Sequence, residues 1–367
     1  MGGRSFRIAT IGGIPVRADA SWIWIALLVT YSLWIRFHAL TGGRRGALLV
    51  AVFTAACFFG TVLVHELAHA FVARLQGMTV FGITLVVFGG FTSARTEERG
   101  PWPAFLVAAA GPLASLGLGI ALRSLADGVR GPLIATALNE VGWVSLFMAV
   151  FNVLPGLPLD GGRMVQALVW RATGDADRAT RVAARAGMAI GALILGLGAL
   201  RVTRGDIVEG IWIGIIGVFI LQNARSSADA VGVAARLARG TVRDVIEPAP
   251  AAVPADIPLS EALDRFLRGH DDEAFPVVDG TRLIGMVSLA SASEIGARDP
   301  LRPVRDALIP LEDVLVVRPD DALDEVGSRL STTGTALVVD ELGALVGTIS
   351  GPRVLAWARG GGVTGRG

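Results

Sequence analysis

The residues best suited to chemistry in this 367-residue chain form the run His65-Glu66-Leu67-Ala68-His69. Positions i and i+4 of a helix lie on one face, so both imidazoles can reach a single metal ion. Neutral imidazole is a common ligand of Zn²⁺. Glu66 directly follows the first imidazole, and its carboxylate can accept a proton from a water that the ion activates. The run predicts a zinc site with a general base; the alternative is a Glu66–His contact that only joins helices.

A catalytic zinc ion needs a third protein ligand and an open fourth position. Two further histidines are poorly placed, because His38 is expected in a loop at the far end and His270 lies in the later half of the chain. Asp160 is the better candidate. It belongs to the run NVLPGLPLDGGR of residues 152–163, where two prolines end a helix and leave a carboxylate in apolar surroundings. As an ordinary turn residue, Asp160 would instead cap the following helix.

The elements that carry these residues are apolar enough to lie in a membrane. Charged residues make up 18% of the chain, whereas soluble proteins average about a quarter. A helix needs about 20 residues to cross a bilayer. Six apolar segments, some of them short, precede residue 225: Ser21–Trp34, Ala47–Ala73, Pro103–Leu122, Pro132–Val153, Ala186–Leu200 and Ile207–Leu221. We therefore predict six transmembrane helices in the cell membrane, the first a retained span and not a cleaved signal.

Arginine placement predicts the orientation of these helices, because positively charged loops stay in the cytoplasm. Fourteen arginines fall on one side (residues 4–17, 74–99, 163–185 and 225–239) and seven on the other (residues 36–45, 123–130 and 201–204). Both termini are therefore expected in the cytoplasm. The second and fourth helices then run in the same direction, which brings His69 and Asp160 to a similar depth near their cytoplasmic ends. This shared depth favours Asp160 as the third ligand.

Net charge and cysteine content exclude other classes of protein. The 33 basic and 32 acidic residues give a net charge of +1, which excludes an acidic disordered tail and a nucleic-acid footprint over the whole chain. The single cysteine, Cys57, lies in an apolar segment and excludes a disulfide framework and a cysteine-based zinc site.

A β-branched stretch, Thr79–Arg99, separates the second and third apolar segments. Its alternation and its Gly89-Gly90 pair predict a strand or hairpin and not a helix. Lipid-exposed strand edges are not tolerated at membrane depth. We therefore expect this hairpin in the membrane interface or against protein.

After residue 239 the chain has ordinary charge and repeats itself at an offset of about 60 residues. The run VRD at 242–244 recurs at 304–306, and VVD at 277–279 recurs at 338–340. The repeat predicts two copies of an α/β half-domain that pack on each other. His270, with its acidic neighbours Asp271, Asp272 and Glu273, is interpreted as a solvated loop and not as a second metal site.

The run HELAH in a membrane helix, followed by FNVLPGLPLDGGR at residues 151–163, resembles the site-2 protease family of intramembrane zinc metalloproteases. The resemblance covers residue 1 to about residue 225. It implies one Zn²⁺ per chain, held by His65, His69 and Asp160, with Glu66 as the general base.

The same resemblance implies further site residues. Asn152 matches the asparagine that holds the scissile carbonyl, and Gly89 and Gly90 match a membrane-associated β-hairpin that aligns the substrate strand. The run AGPLAS at residues 110–115 resembles a third-span motif, with Ser115 in place of the usual Asn, a change that bears on helix packing and not on the metal. The implied partner is a membrane protein substrate in the lipid bilayer, such as an anti-sigma factor or another membrane-tethered regulator.

The repeat resembles a tandem pair of CBS domains from Val242 to about Arg359. Such pairs often dimerise and often bind adenine nucleotides through an Asp. Ser291 and Arg353 occupy the two positions where that Asp is expected. Two interpretations stay open, a nucleotide sensor and a folding or dimerising module.

Together these features predict a multi-pass α-helical membrane protein, with six transmembrane helices and a membrane-associated β-hairpin, followed by a cytosolic α/β tandem CBS domain. The predicted parts are a protease domain (1–225), a linker (226–240), the CBS pair (241–359) and a disordered tail (360–367). The predicted function is intramembrane zinc-dependent endoproteolysis, regulated by the CBS pair. A CBS-gated channel or transporter is the alternative, but residues 1–225 lack the internal symmetry typical of transporters. A metal-binding but inactive relative is disfavoured because Glu66 is present.

Overall fold

The computed structural model describes residues 5–41, 46–86, 89–95, 100–268, 274–280, 282–341 and 344–360. The acidic loop around His270 and residues 361–367 of the predicted tail lie outside these ranges. The chain divides into two compact units between Ala228 and Asp229.

The first unit is built on long helices of apolar composition. Within the described ranges, six helices are long and apolar enough to cross a membrane: α1 (Ala20–Thr41), α2 (Ala47–Leu75), α3 (Pro101–Gly128), α4 (Pro132–Asn152), α6 (Ala176–Thr203) and α7 (Ile207–Leu237). A shorter helix, α5 (Asp160–Thr173), lies between α4 and α6 in the chain. Helices α6 and α7 extend well beyond their predicted apolar segments, because their ends are rich in Ala and Arg, which favour helix.

A four-stranded sheet completes this unit. Its strands are β1 (Ser5–Ile11), β2 (Ile14–Asp19), β3 (Thr79–Val86) and β4 (Gly89–Arg95), in that order across the sheet. Strands β2 and β3 are parallel, whereas the β1–β2 and β3–β4 pairs are antiparallel. Buried residues such as Val16 and Ile83 pack against Ala70 and Ala73 of α2. The sheet therefore fixes the end of the helix that carries the HELAH run.

Within the described residues, the second unit contains two small sheets and four α-helices. The strands are β5 (Val253–Pro254), β6 (Ala274–Asp279), β7 (Arg282–Ser288), β8 (Ile309–Pro310), β9 (Leu315–Val317), β10 (Thr335–Val339) and β11 (Leu345–Ser350). The helices are α8 (Leu259–Ala262), α9 (Leu289–Gly296), α10 (Leu323–Thr333) and α11 (Gly351–Ala358). The sheet orders are β5-β6-β7-β8 and β11-β10-β9.

In this unit, the leading segment of each sequence repeat is buried in the hydrophobic core of the other repeat. Val242 and Val245, which begin the first sequence repeat, are buried in the core formed by residues 315–354 of the second repeat. Val304 and Ala307, which begin the second repeat, are buried in the core formed by residues 253–292 of the first. Backbone hydrogen bonds accompany both exchanges, from Val242 N to Asp321 O (2.9 Å) and from Val304 N to Ile257 O (3.0 Å). Each structural half therefore combines residues from both repeats.

Candidate metal centre

Helix α2 places three ionisable side chains in an apolar setting. His65, Glu66 and His69 are 5, 7 and 8% exposed. Residues 47–64 of the same helix contain no charged residue. Placing an ionisable group within a membrane span costs free energy, so residues of this kind usually belong to a functional site. The two imidazoles lie one helical turn apart, with their ring centroids separated by 4.8 Å.

Asp160 reaches these imidazoles because a tightly packed loop follows α4. The loop ends at Asp160, the first residue of α5. Its middle is held against α6, since Leu157 N donates to Ala183 O at 3.1 Å. A Cβ atom at Gly187 of α6 would collide with the Leu157 carbonyl oxygen, so only glycine permits this approach. Packing of this loop against α6 thus fixes the position of the carboxylate.

Three donor atoms form a nearly equilateral triangle at the centre of the site. His65 Nε2 and His69 Nε2 are 3.2 Å apart, and Asp160 Oδ2 lies 3.2 Å from the first and 3.3 Å from the second. Tetrahedral zinc, with ligand bonds of about 2.0–2.1 Å, requires neighbouring ligand atoms about 3.3 Å apart. The triangle therefore fits three ligands of one such ion, with the fourth position left to another group.

The charge and burial of Asp160 suit it to bind a cation. Burial raises the pKa of this carboxyl, but the His65 and His69 imidazoles outweigh that effect and hold its pKa below its ordinary value. Its Oδ2 atom is buried and, although both imidazole nitrogens lie within 3.3 Å, it makes no well-aligned hydrogen bond within the described part of the chain. An ionised, buried oxygen of this kind is matched by a metal ion better than by any neighbouring donor.

The outer nitrogens of both imidazoles contact helix α3. His69 Nδ1 lies 2.7 Å from the carbonyl oxygen of Val107, and His65 Nδ1 lies 2.9 Å from Ser115 Oγ. Metal-binding histidines usually donate their second ring N–H to such a partner, which fixes the ring orientation. Both Nε2 atoms therefore point toward Asp160. Ser115 thus contacts a candidate ligand directly, a contact that the expectation of an effect on helix packing alone did not include.

Gly111 of α3 forms one wall of the site. A Cβ atom there would collide with His69 Nε2 and would lie 2.7 Å from His65 Cε1. Gly117, six residues further along the same helix, has no atom within 4 Å of the equivalent position. The absence of a side chain at Gly111 therefore makes room for the two imidazoles.

The remaining predicted site residues occupy separate positions. Asn152 is the last residue of α4, and its Nδ2 donates to the Met148 carbonyl at 3.0 Å. Gly89 and Gly90 begin β4, and Gly90 pairs with Leu85 of β3.

His38 lies in the last turn of α1 and not in a loop, because this helix continues to Thr41. Its ring packs on Trp34, with the two ring centroids 5.6 Å apart. The structure thus keeps His38 away from the candidate ligands, as the sequence suggested, but in a different element.

Three contributors to the site were not identified from the sequence: the Val107 carbonyl, the space at Gly111 and the Ser115 hydroxyl. A backbone carbonyl and a missing side chain leave no chemical signature in a sequence. The sequence feature that could have pointed to them is the small-residue run at 110–115. The family resemblance connected that run with helix packing and not with the metal site.

Comparison with known proteins identifies the class that this fold and site define. A model described as "Peptidase family M50" matches residues 53–140 and 129–194, and a model described as "CBS domain" matches residues 242–294 and 304–358.

Two relatives match along nearly the whole chain. The zinc metalloprotease Rip3 of Mycobacterium tuberculosis is 34% identical over 353 residues, which is 94% of this chain and 90% of that protein. The zinc metalloprotease sll0528 of Synechocystis is 32% identical over 354 residues, which is 94% of this chain and 93% of that protein. A solved structure of a site-2 protease from Methanocaldococcus jannaschii is 24% identical, with a TM-score of 0.45, and covers 61% of this chain and 95% of that one.

The chain is therefore a multi-pass membrane metalloprotease with a CBS-type α/β unit after its apolar helices. It belongs to peptidase family M50, the site-2 protease family, in a form that carries two CBS domains.

Proposed function

We propose that this protein is a zinc-dependent endopeptidase that cleaves a peptide bond within a transmembrane segment of a membrane protein. The observation that carries the proposal is the 3.2–3.3 Å triangle of His65, His69 and Asp160 donor atoms, next to Glu66 on an apolar helix. The donor atoms converge on a single point, which supports one zinc ion per chain. The naming of Rip3 and sll0528 as zinc metalloproteases supports the choice of metal.

In this mechanism His65, His69 and Asp160 hold the ion. A zinc ion in this position would supply Lewis acidity, which polarises a carbonyl and makes a water molecule more acidic. Glu66 accepts the proton from the attacking water and passes it to the leaving amine. Asn152 holds the scissile carbonyl and donates a hydrogen bond to the oxygen as negative charge develops on it.

The substrate segment must unwind before cleavage, because peptide groups within a helix are already hydrogen-bonded and sterically closed. Strand β4 is suited to receive it. Within the described residues β4 pairs with β3 on one side and lies at the edge of the sheet. An extended peptide can add to such an edge through main-chain hydrogen bonds. We therefore assign Gly89 and Gly90, at the start of β4, to alignment of the unwound substrate.

The membrane topology of the proposal follows the arginine distribution. The six apolar helices span the cell membrane, both termini lie in the cytoplasm, and the β3–β4 hairpin lies at the membrane interface. Residues 1–225 form the protease domain, 226–240 the connection and 241–359 the CBS pair. Helix α7 runs through most of that connection, to Leu237. The substrate is a membrane-tethered regulator such as an anti-sigma factor, no nucleic acid is bound, and the CBS pair forms a homodimer.

Metal removal tests the proposal. Full-length protein in lipid nanodiscs is expected to contain one zinc atom per chain by elemental analysis. Its substrate is taken from the membrane proteins that accumulate uncut in cells carrying Glu66→Gln. Chelation is expected to stop cleavage, and added zinc to restore it, because the proton transfer at Glu66 needs an activated water. Cleavage that continues after complete zinc removal would contradict the proposal.

The CBS pair is proposed to regulate cleavage without a nucleotide. Ser291 Oγ is engaged by Ser288 N at 3.2 Å, and Arg353 Nε lies 3.3 Å from a Glu247 carboxylate oxygen. The side chains at both positions where the nucleotide-binding Asp is expected therefore contact other residues of the protein.

Truncation after Ala228 is therefore expected to leave zinc content unchanged but to alter the cleavage rate or substrate preference, since a regulatory unit changes the fraction of open molecules. Added AMP or ATP is expected to leave the full-length rate unchanged. A folded truncated protein with wild-type kinetics would exclude a regulatory role for the CBS pair. Micromolar nucleotide binding, measured by calorimetry, would exclude regulation without a nucleotide.

A further inference from the structure

We propose that Ser115 is a positioning residue that holds His65 in the tautomer able to bind the metal. The proposal rests on the zinc site proposed above. Ser115 lies in α3, is 0% exposed, and places its Oγ atom 2.9 Å from His65 Nδ1. A hydroxyl buried to this extent against a titratable ring has no access to bulk water as an alternative partner.

The chemistry of the ligand sets the direction of this hydrogen bond. A metal ion on Nε2 uses the lone pair of that nitrogen, so the imidazole proton must be on Nδ1. Nδ1–H of His65 then donates to Ser115 Oγ. The partner of His69 imposes the same tautomer by necessity, because the Val107 carbonyl oxygen, 2.7 Å away, can only accept. At His65 the group that must accept the Nδ1–H hydrogen bond is the Ser115 hydroxyl. A hydroxyl can also donate, so its role depends on how its surroundings orient it.

A second buried serine holds the backbone at this point. Ser145 of α4 is also 0% exposed, and its Oγ donates to the carbonyl oxygen of Ser115 at 2.9 Å. The two serines therefore connect α4 to α3, and α3 to the metal-binding face of α2. The hydrogen bond of Ser145 is made to the main chain of Ser115, whereas that of Ser115 is made to the imidazole of His65. This difference separates a packing role from a positioning role.

The test compares matched variants of the full-length protein. Zinc affinity is measured by competition with a chromophoric chelator, and ligand geometry is followed from the visible absorption of cobalt(II) bound in place of zinc. Ser115→Ala is expected to weaken zinc binding about 10–100-fold, the usual cost of losing the outer partner of a metal-binding histidine, and to change the cobalt spectrum. Ser145→Ala removes the same group at the same burial but leaves the Ser115 hydroxyl in place, so it is expected to cost clearly less zinc affinity than Ser115→Ala and to change the cobalt spectrum less.

A second pair of variants controls for shape. Ser115→Thr and Ser115→Val introduce side chains of equal size, of which the first keeps the hydroxyl. We expect Thr to retain most of the zinc affinity and Val to lose it, and this pair decides the matter if Ser115→Ala does not fold. Equal affinities for Thr and Val, or equal losses for Ser115→Ala and Ser145→Ala, would overturn the positioning role. Wild-type protein that binds no zinc would instead overturn the proposed function.

Discussion

Replacing Glu66 by Gln is expected to abolish cleavage while zinc content stays at the wild-type value. Glutamine keeps the size of the side chain, so His65 and His69 should still bind the ion. The neutral amide cannot accept a proton from water, and loss of a general base typically reduces the rate about 10²–10⁴-fold. The measurement is zinc by elemental analysis and cleavage by gel on the same nanodisc sample.

Glu140→Gln provides the matched control for this result. It makes the same chemical change on α4, where the Glu140 carboxylate pairs with Arg36 at 2.5 Å and not with the candidate ligands. Its cleavage rate is expected to remain near wild type. Wild-type turnover by Glu66→Gln would assign the proton transfer to another residue.

Replacing Gly111 by Ala is expected to empty the metal site, although Gly111 is not a ligand. The added Cβ would take the space of the His69 ring and press on His65, so both Nε2 atoms must leave the triangle. We expect zinc content and cleavage to fall toward those of the His65→Ala/His69→Ala double variant, which defines an empty site. Elemental analysis of both purified proteins provides the comparison.

The control for Gly111→Ala is Gly117→Ala on the same helix. A Cβ at that position meets no atom within 4 Å, and Ala favours helix over Gly by about 1 kcal/mol. Gly117→Ala should therefore keep full zinc occupancy and equal or better thermal stability. Full zinc occupancy in Gly111→Ala would show that the α3 wall yields more easily than its geometry indicates.

The candidate ligands were accessible from the sequence because their geometry is mostly local. His65 and His69 need only the helical repeat to share a face, and no tertiary information enters. Asp160 is distant in the chain, but membrane topology limits the depth at which each residue can lie. The predicted membrane depth of Asp160 therefore indicated a contact that spacing alone could not. The structure does bring Asp160 within 3.3 Å of both histidines.

Most of the contacts that the sequence did not predict join distant segments. Strands β1 and β2 are an exception, because they form a local hairpin through Gly12 and Gly13, a turn signal that the sequence does carry. The parallel pairing of β2 with β3, in contrast, joins segments separated by the whole length of α1 and α2. The contact of Ser115 with His65 likewise joins residues 50 positions apart. Neither a hydrophobic pattern nor residue spacing encodes such a partner, so both required the structure.

The exchange of leading segments in the CBS unit has a consequence for how this part of the chain can change. A gene deletion that removed one complete sequence repeat would not leave one complete half. It would leave a core without Val242 and Val245, or one without Val304 and Ala307, and would expose apolar residues that are now fully or almost fully buried. A deletion in phase with the sequence repeat therefore disrupts both halves, and only one whose ends fall after a leading segment would leave a complete core.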